Sequence, residues 1–288
     1  MSSDPFALDR PRVRSSFDAA AAGYDEAAIL QAEVRARLLQ RLDEVRLEPR
    51  VVVDAGCGTG HGARALADRY RKARVLALDA AGGMLRQARQ RRGRWFRRPW
   101  LTCAEAEALP LPNRSAQLVF SNLMLQWCDD PDRVFTEFHR VLAPGGLLTF
   151  TTFGPDTLKE LREAWGTVDG HTHVSRFVDM HDLGDSLVRA GFAEPVMDVE
   201  HLTMTYGSVR DLMRDLKAMG AHNATRGRGR GLTGRGRLAA VEAAYERHRR
   251  DGRLPSTWEV VYGHAWSTGR LPAPPGEARI DLSDIGRR

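Results

Sequence analysis

Three consecutive valines, residues 51–53, lead straight into Asp54-Ala-Gly56-Cys57-Gly58-Thr-Gly60. A short β-branched run reads as a buried strand. Glycines at every second position let the backbone turn tightly and approach a ligand closely. A helical stretch to Tyr70 follows, completing one β/α unit, and the pattern then repeats. Residues 74–79, 100–103, 117–121 and 147–153 read as strands, with helices over 82–92 and 130–142, the second stopped by Pro144-Gly145-Gly146. Such alternation calls for a mostly parallel sheet covered by helices on both faces. Its ligands sit beyond the carboxyl ends of the strands, near the switch point.

Around this unit the pattern changes. Residues 1–45 read as a helical segment, with apolar residues at spacings of three and four at Ile29, Val34, Leu38 and Leu42. The core is expected over 46–206, with 156–180 as a substrate-side insertion. Helices are expected over 156–165, 181–190 and 209–219, and a strand over 196–206. Residues 225–237, TRGRGRGLTGRGR, alternate glycine with arginine and read as mobile. A helix over 238–249 and a strand over 258–267 follow. The two late strands are expected as the antiparallel end of one sheet, with 207–255 inserted as a helical lid and the last core strand within 256–270. Residues 271–288, with Pro272, Pro274 and Pro275, read as a disordered tail.

Composition excludes several classes. At 288 residues, 42% hydrophobic and 28% charged, the chain is neither fibrous nor wholly disordered. No run approaches the roughly 20 apolar residues of a membrane helix, and the first residues have no apolar leader. Cys57, Cys103 and Cys128 are an odd number without metal-ligand spacing and read as reduced thiols of a cytoplasmic, metal-free protein. The net charge of +6 comes from 40 Arg and only three Lys (Lys72, Lys159, Lys217), a skew that looks more like a GC-rich coding sequence than selection for a partner. The densest basic run, 86–98, reads as a solvated face, with a polyanion contact as the other reading.

The glycine turn leaves two ligands open. Gly58-Thr-Gly60-His-Gly-Ala63 fits the dinucleotide fingerprint GxGxxA, and Asp79, 19 residues after Gly60, can grip a ribose diol in either case. Asp54, at the strand end before the glycines, can help to grip a cationic ligand, and the third strand runs into Ala104-Glu105-Ala106-Glu107. Together these resemble the class I S-adenosylmethionine methyltransferases, whose first motif is an acid followed by GxGxG. The resemblance implies a Rossmann-like sheet of seven strands. Gly56, Gly58 and Gly60 would pack against methionine and ribose, Asp79 would hold the ribose hydroxyls, and Glu105 with Ala106 would meet adenine. Asp54, Cys57, Ala80, Met84 and Asn122 complete the expected cofactor site. The chain lacks an Asn/Asp-Pro-Pro-aromatic motif after its fourth strand and a cysteine pair for attack on a pyrimidine, and both absences weigh against nucleic acid as acceptor.

A narrower resemblance covers nearly the whole chain. It is carried by Ser16-Phe17-Asp-Ala-Ala-Ala-Ala-Gly-Tyr24-Asp25, Asn122-Leu-Met-Leu-Gln126-Trp127-Cys128, Phe153-Gly-Pro-Asp-Thr157-Leu-Lys-Glu-Leu161, His173-Val-Ser-Arg176-Phe177 and Leu212-Met-Arg214-Asp-Leu-Lys217-Ala-Met-Gly220-Ala221. These segments look like the malonyl-acyl-carrier-protein O-methyltransferase family of biotin synthesis. That family esterifies the free carboxyl of a malonyl thioester on its carrier and leaves S-adenosylhomocysteine. On this reading the partner is acyl carrier protein bearing malonyl-phosphopantetheine, and the enzyme is a monomer.

A buried acid needs a paired partner, and a guanidinium offers a planar, two-pronged hold. Arg176 is the candidate clamp, a surface or lid ion pair being its other reading. His173 is placed as an assistant, Tyr24 as a cover over the methionine end, Asn122 as a lining of the acceptor channel, and Trp127 as core. Arg210, Arg214 and Lys217 share one helical face that could receive an acidic helix, with a solvated face as the alternative. The stretch 226–237 departs from the family in its glycine-arginine richness. Three further readings stay open: RNA binding through the glycine-arginine stretch, a methyltransferase for another small acid or a quinone precursor, and a cofactor-binding assembly factor akin to the complex I arginine hydroxylases. The latter share the Asp-Thr-Leu-x-Glu-Leu segment but not arginine at position 176.

Overall fold

The computed structural model describes residues 4, 6–91, 98–221, 223–228, 231 and 234–270. Seven strands, β1 (Val51–Ala55), β2 (Arg74–Asp79), β3 (Trp100–Cys103), β4 (Ala116–Asn122), β5 (Leu142–Phe153), β6 (Phe192–Tyr206) and β7 (Leu254–Ser267), form one sheet in the order β3-β2-β1-β4-β5-β7-β6. β1 to β5 run parallel, and β7 is antiparallel to both β5 and β6. The order reverses between β1 and β4, which opens a crevice at the carboxyl ends of those two strands. The antiparallel end lies where the sequence placed it, and both late strands start earlier than their apolar patterns do.

The N-terminal segment is helical in three pieces, α1 (Arg10–Ala20), α2 (Tyr24–Ala27) and α3 (Ile29–Arg41). Asp9 caps α1 by accepting the Arg12 amide, with Pro11 in the first turn where its missing N–H costs nothing. Gly23 separates α1 from α2. Ile29, expected on the apolar face, is 66% exposed, whereas Val34, Leu38 and Leu42 are buried.

The other helices are α4 (His61–Arg69), α5 (Gly82–Gln90), α6 (Pro131–Val141), α7 (Lys159–Gly166), α8 (Met180–Arg189), α9 (Val209–Ala218) and α10 (Arg235–Glu246). α6 shows how one is specified: Asp130 accepts the Arg133 amide at 3.1 Å, Pro131 opens the first turn, and Val134, Phe135, Phe138 and Val141 are buried. Each such side chain contributes roughly 1.5–3 kcal/mol on burial. Strand alternation divides the core between the two faces of the sheet. Val52 joins the cluster of Val34, Leu38 and Phe120, and Val53 joins that of Phe135, Phe138 and Phe150.

Between β6 and β7 the chain supplies α9 and α10, and Leu212 and Leu216 of α9 bury into the first cluster. The start of the glycine-arginine stretch, expected to be mobile, is pinned to the N-terminus. Leu8 and Thr225 form an antiparallel bridge, and the Arg226 amide donates to Ala7 O at 2.9 Å. All of the tail expectation, 271–288, and part of this stretch and of the 86–98 run lie outside the described residues. Among the described residues no helix is long and apolar enough to cross a membrane.

Candidate active site

The turn after β1 is locked to β2: the amides of Gly56 and Cys57 both donate to Leu78 O, at 2.8 and 2.9 Å. Gly56, Gly58 and Gly60 have φ of +76°, +53° and +87°, a region that disfavours any side chain. Their surroundings differ. A Cβ on Gly56 would run into the Met124 side chain, and one on Gly60 would meet Ala88 Cβ at 2.8 Å. A Cβ on Gly58 would meet nothing within 4 Å. It would project into a cavity of about 140 Å³ that Gly58 lines.

Gly56, Asp79, Ala80, Met84, Glu105, Ala106, Asn122 and Tyr24 line the same cavity, as the sequence reading expected of its cofactor site. Asp79 is held in its wall by the backbone. Its two carboxylate oxygens accept the Gly58 and Ala81 amides, each at 2.8 Å. Burial pushes its pKa up to about 6, and those two hydrogen bonds oppose the shift. Burial, with the charge of Asp79, also raises the Tyr24 phenol. Asn122 is fixed by donating to Gln31 O at 3.3 Å and accepting from the Thr151 hydroxyl at 3.0 Å. An open glycine cradle beside a carboxylate poised for a diol fits the adenosyl and methionyl parts of S-adenosylmethionine.

Three expected cofactor residues do not line this cavity: Asp54, Cys57 and Gly60. Neighbouring side chains of a strand point to opposite faces. Ala55 therefore takes the cavity face, and Asp54 turns under the first turn of α4, where its Oδ2 lies 2.9 Å from the Cβ position of Gly62. Among the described residues that Oδ2 has no hydrogen-bond partner, and burial raises the Asp54 pKa to about 7 against the pull of Arg35. Cys57 packs into the core, where burial pushes its thiol up, and Gly60 serves the packing of α5.

One wall was missed. Arg10, Val13, Arg14 and Phe17, all on α1, line the cavity. Their spacing of three, one and three is that of a single helical face, and this was the available signal. Arg10 pairs with Glu107 and Arg14 with Glu105, so the wall is fastened to the loop after β3. Phe17 meets Trp127 edge to face, with centroids 5.1 Å apart.

A second cavity, of about 200 Å³, lies against the first and shares Gln126, Trp127, Phe153 and Ala221 with it. Trp127 is thus half-buried in a common wall rather than a core residue. His173 lines the second cavity, stacked on Trp165 at 3.6 Å and hydrogen-bonded through Nε2 to Asp169 at 2.7 Å. Arg176 lines neither cavity. It is exposed, flanked by the lining residues Ser175 and Phe177, and makes no hydrogen bond or ion pair among the described residues. Arg210 and Arg214 are already paired, with Glu242 and Asp211, and Lys217 is exposed without an ion pair among the described residues. Asp156, His201 and Glu259 approach one another closely enough to hold a metal ion. They line neither cavity, and Asp156 already accepts from Lys159 at 2.9 Å.

The sequence of residues 53–150 matches a family model described as a methyltransferase domain. A malonyl-[acyl-carrier protein] O-methyltransferase of Methylovorus sp. is 55% identical over 288 residues, covering 98% of this chain and 97% of that one. Another, of Laribacter hongkongensis, is 57% identical over 276 residues, covering 93% of each. The chain belongs to the malonyl-[acyl-carrier protein] O-methyltransferase family. Relatives at this identity bear that name and not that of the assembly factors. Solved structures share the class I methyltransferase fold. The YcgJ protein of Bacillus subtilis superposes with a TM-score of 0.59 at 14% identity over 82% of this chain and 98% of its own. Phosphoethanolamine N-methyltransferase 2 of Haemonchus contortus, solved with S-adenosyl-L-methionine, gives 0.54 at 16% identity over 87% and 57%.

Proposed function

We propose that this protein methylates the free carboxylate of malonyl-acyl carrier protein with S-adenosylmethionine, giving the malonyl methyl ester that opens pimeloyl synthesis for biotin. The observation that carries this reading is the pair of adjoining cavities with a common wall at Gln126, Trp127, Phe153 and Ala221. One has the glycine cradle and Asp79 for the donor, and the other takes the acceptor.

When bound, S-adenosylmethionine supplies an electrophilic methyl carbon whose bond to sulfur breaks as the carboxylate oxygen bonds to it. A carboxylate of pKa near 4 is already ionised at neutral pH. The chain therefore has no proton to remove, and its residues act by placing the reactants and excluding water. Asp79 holds the ribose hydroxyls, Glu105 and Ala106 meet the adenine, and Tyr24 covers the methionine end. Arg176, exposed beside the wall residues Ser175 and Phe177, turns inward over the acceptor to steady its charge. Lys217, joined by Arg210 and Arg214 as they exchange their own acids for the partner's, receives the acidic carrier in the cytoplasm.

Mass spectrometry of malonyl carrier incubated with the protein and S-adenosylmethionine tests the reading, with acetyl carrier as control. The malonyl form gains the mass of one CH2 unit and the acetyl form does not. No gain on malonyl carrier, from protein that binds S-adenosylmethionine, would mean the acceptor is another molecule.

A further inference from the structure

We infer that Gln126 is a positioning group for the acceptor, a neutral amide donor that aims the carboxylate at the methyl carbon. The inference rests on the function proposed above. Of the four residues common to both cavities, Phe153 and Ala221 carry no polar side-chain group, which leaves the Trp127 indole and the Gln126 amide. The amide is held from both ends. Its Nε2 donates to Leu123 O at 2.7 Å, and its Oε1 accepts from the buried Thr152 hydroxyl at 3.3 Å. Leu123 itself has a φ of +50°, and the tight turn Leu125–Trp127 then brings Gln126 back over β5. An amide nitrogen carries two hydrogens. One serves Leu123, and the other has no partner among the described residues.

The charge on the nucleophile explains why an amide suits this position. A cation bonded fully to the carboxylate would drain the electron density that must form the new bond. An N–H donor orients one oxygen while leaving the other free to attack, and a hydrogen bond to a charged group is stronger than a neutral one. Of the groups nearby, Arg10 and Arg14 in the first cavity are paired with Glu107 and Glu105, and His173 in the second bonds Asp169. Arg176 lines neither cavity, so the charge it steadies from outside leaves the aim of the carboxylate to Gln126. Gln126 thus sits at the seam with its orientation already fixed, so little freedom is lost when substrate arrives.

The test compares Gln126→Met, which removes the donor at similar volume, with Gln126→Glu, which replaces it by an acceptor that becomes a donor once protonated. We expect Gln126→Met to lower kcat/KM for malonyl carrier by roughly 30- to 100-fold, and to weaken binding of malonyl carrier to the S-adenosylhomocysteine-loaded protein. S-adenosylmethionine affinity and Tm stay near wild type. Gln126→Glu loses more at neutral pH, and its kcat/KM relative to wild type recovers as pH falls from about 8 to about 5, where a carboxyl regains its proton. Taking the ratio removes the titration of Asp79, Glu105 and Glu107 in the first cavity and of His173 in the second, which both proteins share. A flat ratio, an unimpaired Gln126→Met, or a loss of cofactor affinity in step with activity would overturn the inference. A wild type that binds S-adenosylmethionine but leaves malonyl carrier untouched would overturn the proposed function and this role together.

Discussion

Asp79 accepts the Gly58 amide at 2.8 Å, so the carboxylate at the end of β2 and the glycine turn after β1 form one unit. The same carboxylate accepts from Ala81 and stays buried, with a pKa raised to about 6. Its ionised form is the one that can accept from a diol and favour a cationic ligand. S-adenosylmethionine affinity should therefore weaken as pH falls below about 6, by up to roughly tenfold per unit. Asp79→Asn should bind more weakly and lose most of this dependence. Isothermal titration calorimetry from acid to neutral pH checks both, and a level wild-type profile would remove Asp79 from the binding step.

Gly58 and Gly56 should fail differently when changed to alanine. Both pay for a positive φ, about 1–2 kcal/mol for an L residue. Gly58→Ala points its methyl into the open cavity, so the cofactor Kd should rise by tenfold or more, roughly 1.4 kcal/mol, with a small change in Tm. Gly56→Ala meets the Met124 side chain, and its main effect should be on Tm. Thermal melts with and without S-adenosylmethionine separate the two outcomes.

Asp54 makes the empty protein sensitive to pH. Its folded pKa, about 7, lies above the unfolded value near 4, so the folded state binds the proton more tightly. Stability from this group is therefore greatest in acid and is lost as pH rises towards 7, on the order of 4 kcal/mol. Asp54→Asn should flatten that decline in urea titrations at a series of pH values. An unchanged slope in the variant would show that Asp54 is not its source.

The α1 wall depends on Glu107, whose side chain is 5% exposed while that of Arg10 is 39% exposed. Arg10→Ala strands a buried carboxylate, with Arg133 still 3.7 Å away. The expected cost is about 1–2 kcal/mol, partial exposure of Arg10 having been allowed for. Adding Glu107→Gln should restore part of that stability, because it removes the stranded charge. A double variant as unstable as the sum of the two single ones would rule the pairing out.

Arg176→Ala should leave S-adenosylmethionine affinity near wild type while kcat/KM for malonyl carrier falls by roughly 100-fold. Arg176→Lys should recover little, because an ammonium lacks the planar, directional donors of a guanidinium. Steady-state kinetics beside calorimetry reads both. Wild-type turnover in Arg176→Ala would leave the guanidinium outside the chemistry, where the structure has it.

How legible all this was depended on what kind of information each residue needed. The β/α alternation and the glycine turn are local patterns, and β1 to β5 with Asp79 follow from them, whereas Ala80, Glu105 and Ala106 were implied by the family resemblance. Asp54 shows the limit: a motif says which residue ends a strand, but the pleat decides which face it takes, and Ala55 took the cavity. The α1 wall had a readable spacing at Arg10, Val13, Arg14 and Phe17, masked by a polar helix with a proline in its first turn. Arg176 lies in an irregular segment whose side-chain direction no periodicity sets. The Leu8–Thr225 bridge joins residues far apart in sequence, and nothing local announces such a pairing.

That bridge has a consequence during synthesis. Leu8 leaves the ribosome early and must wait until Thr225 emerges before the outer edge of the N-terminal helix is pinned. A growing chain can assemble the first six strands and the glycine turn before then, with α1 already fastened to the loop after β3 by its arginines. The segment ahead of α1 therefore takes its final place only once the chain beyond β6 has been made.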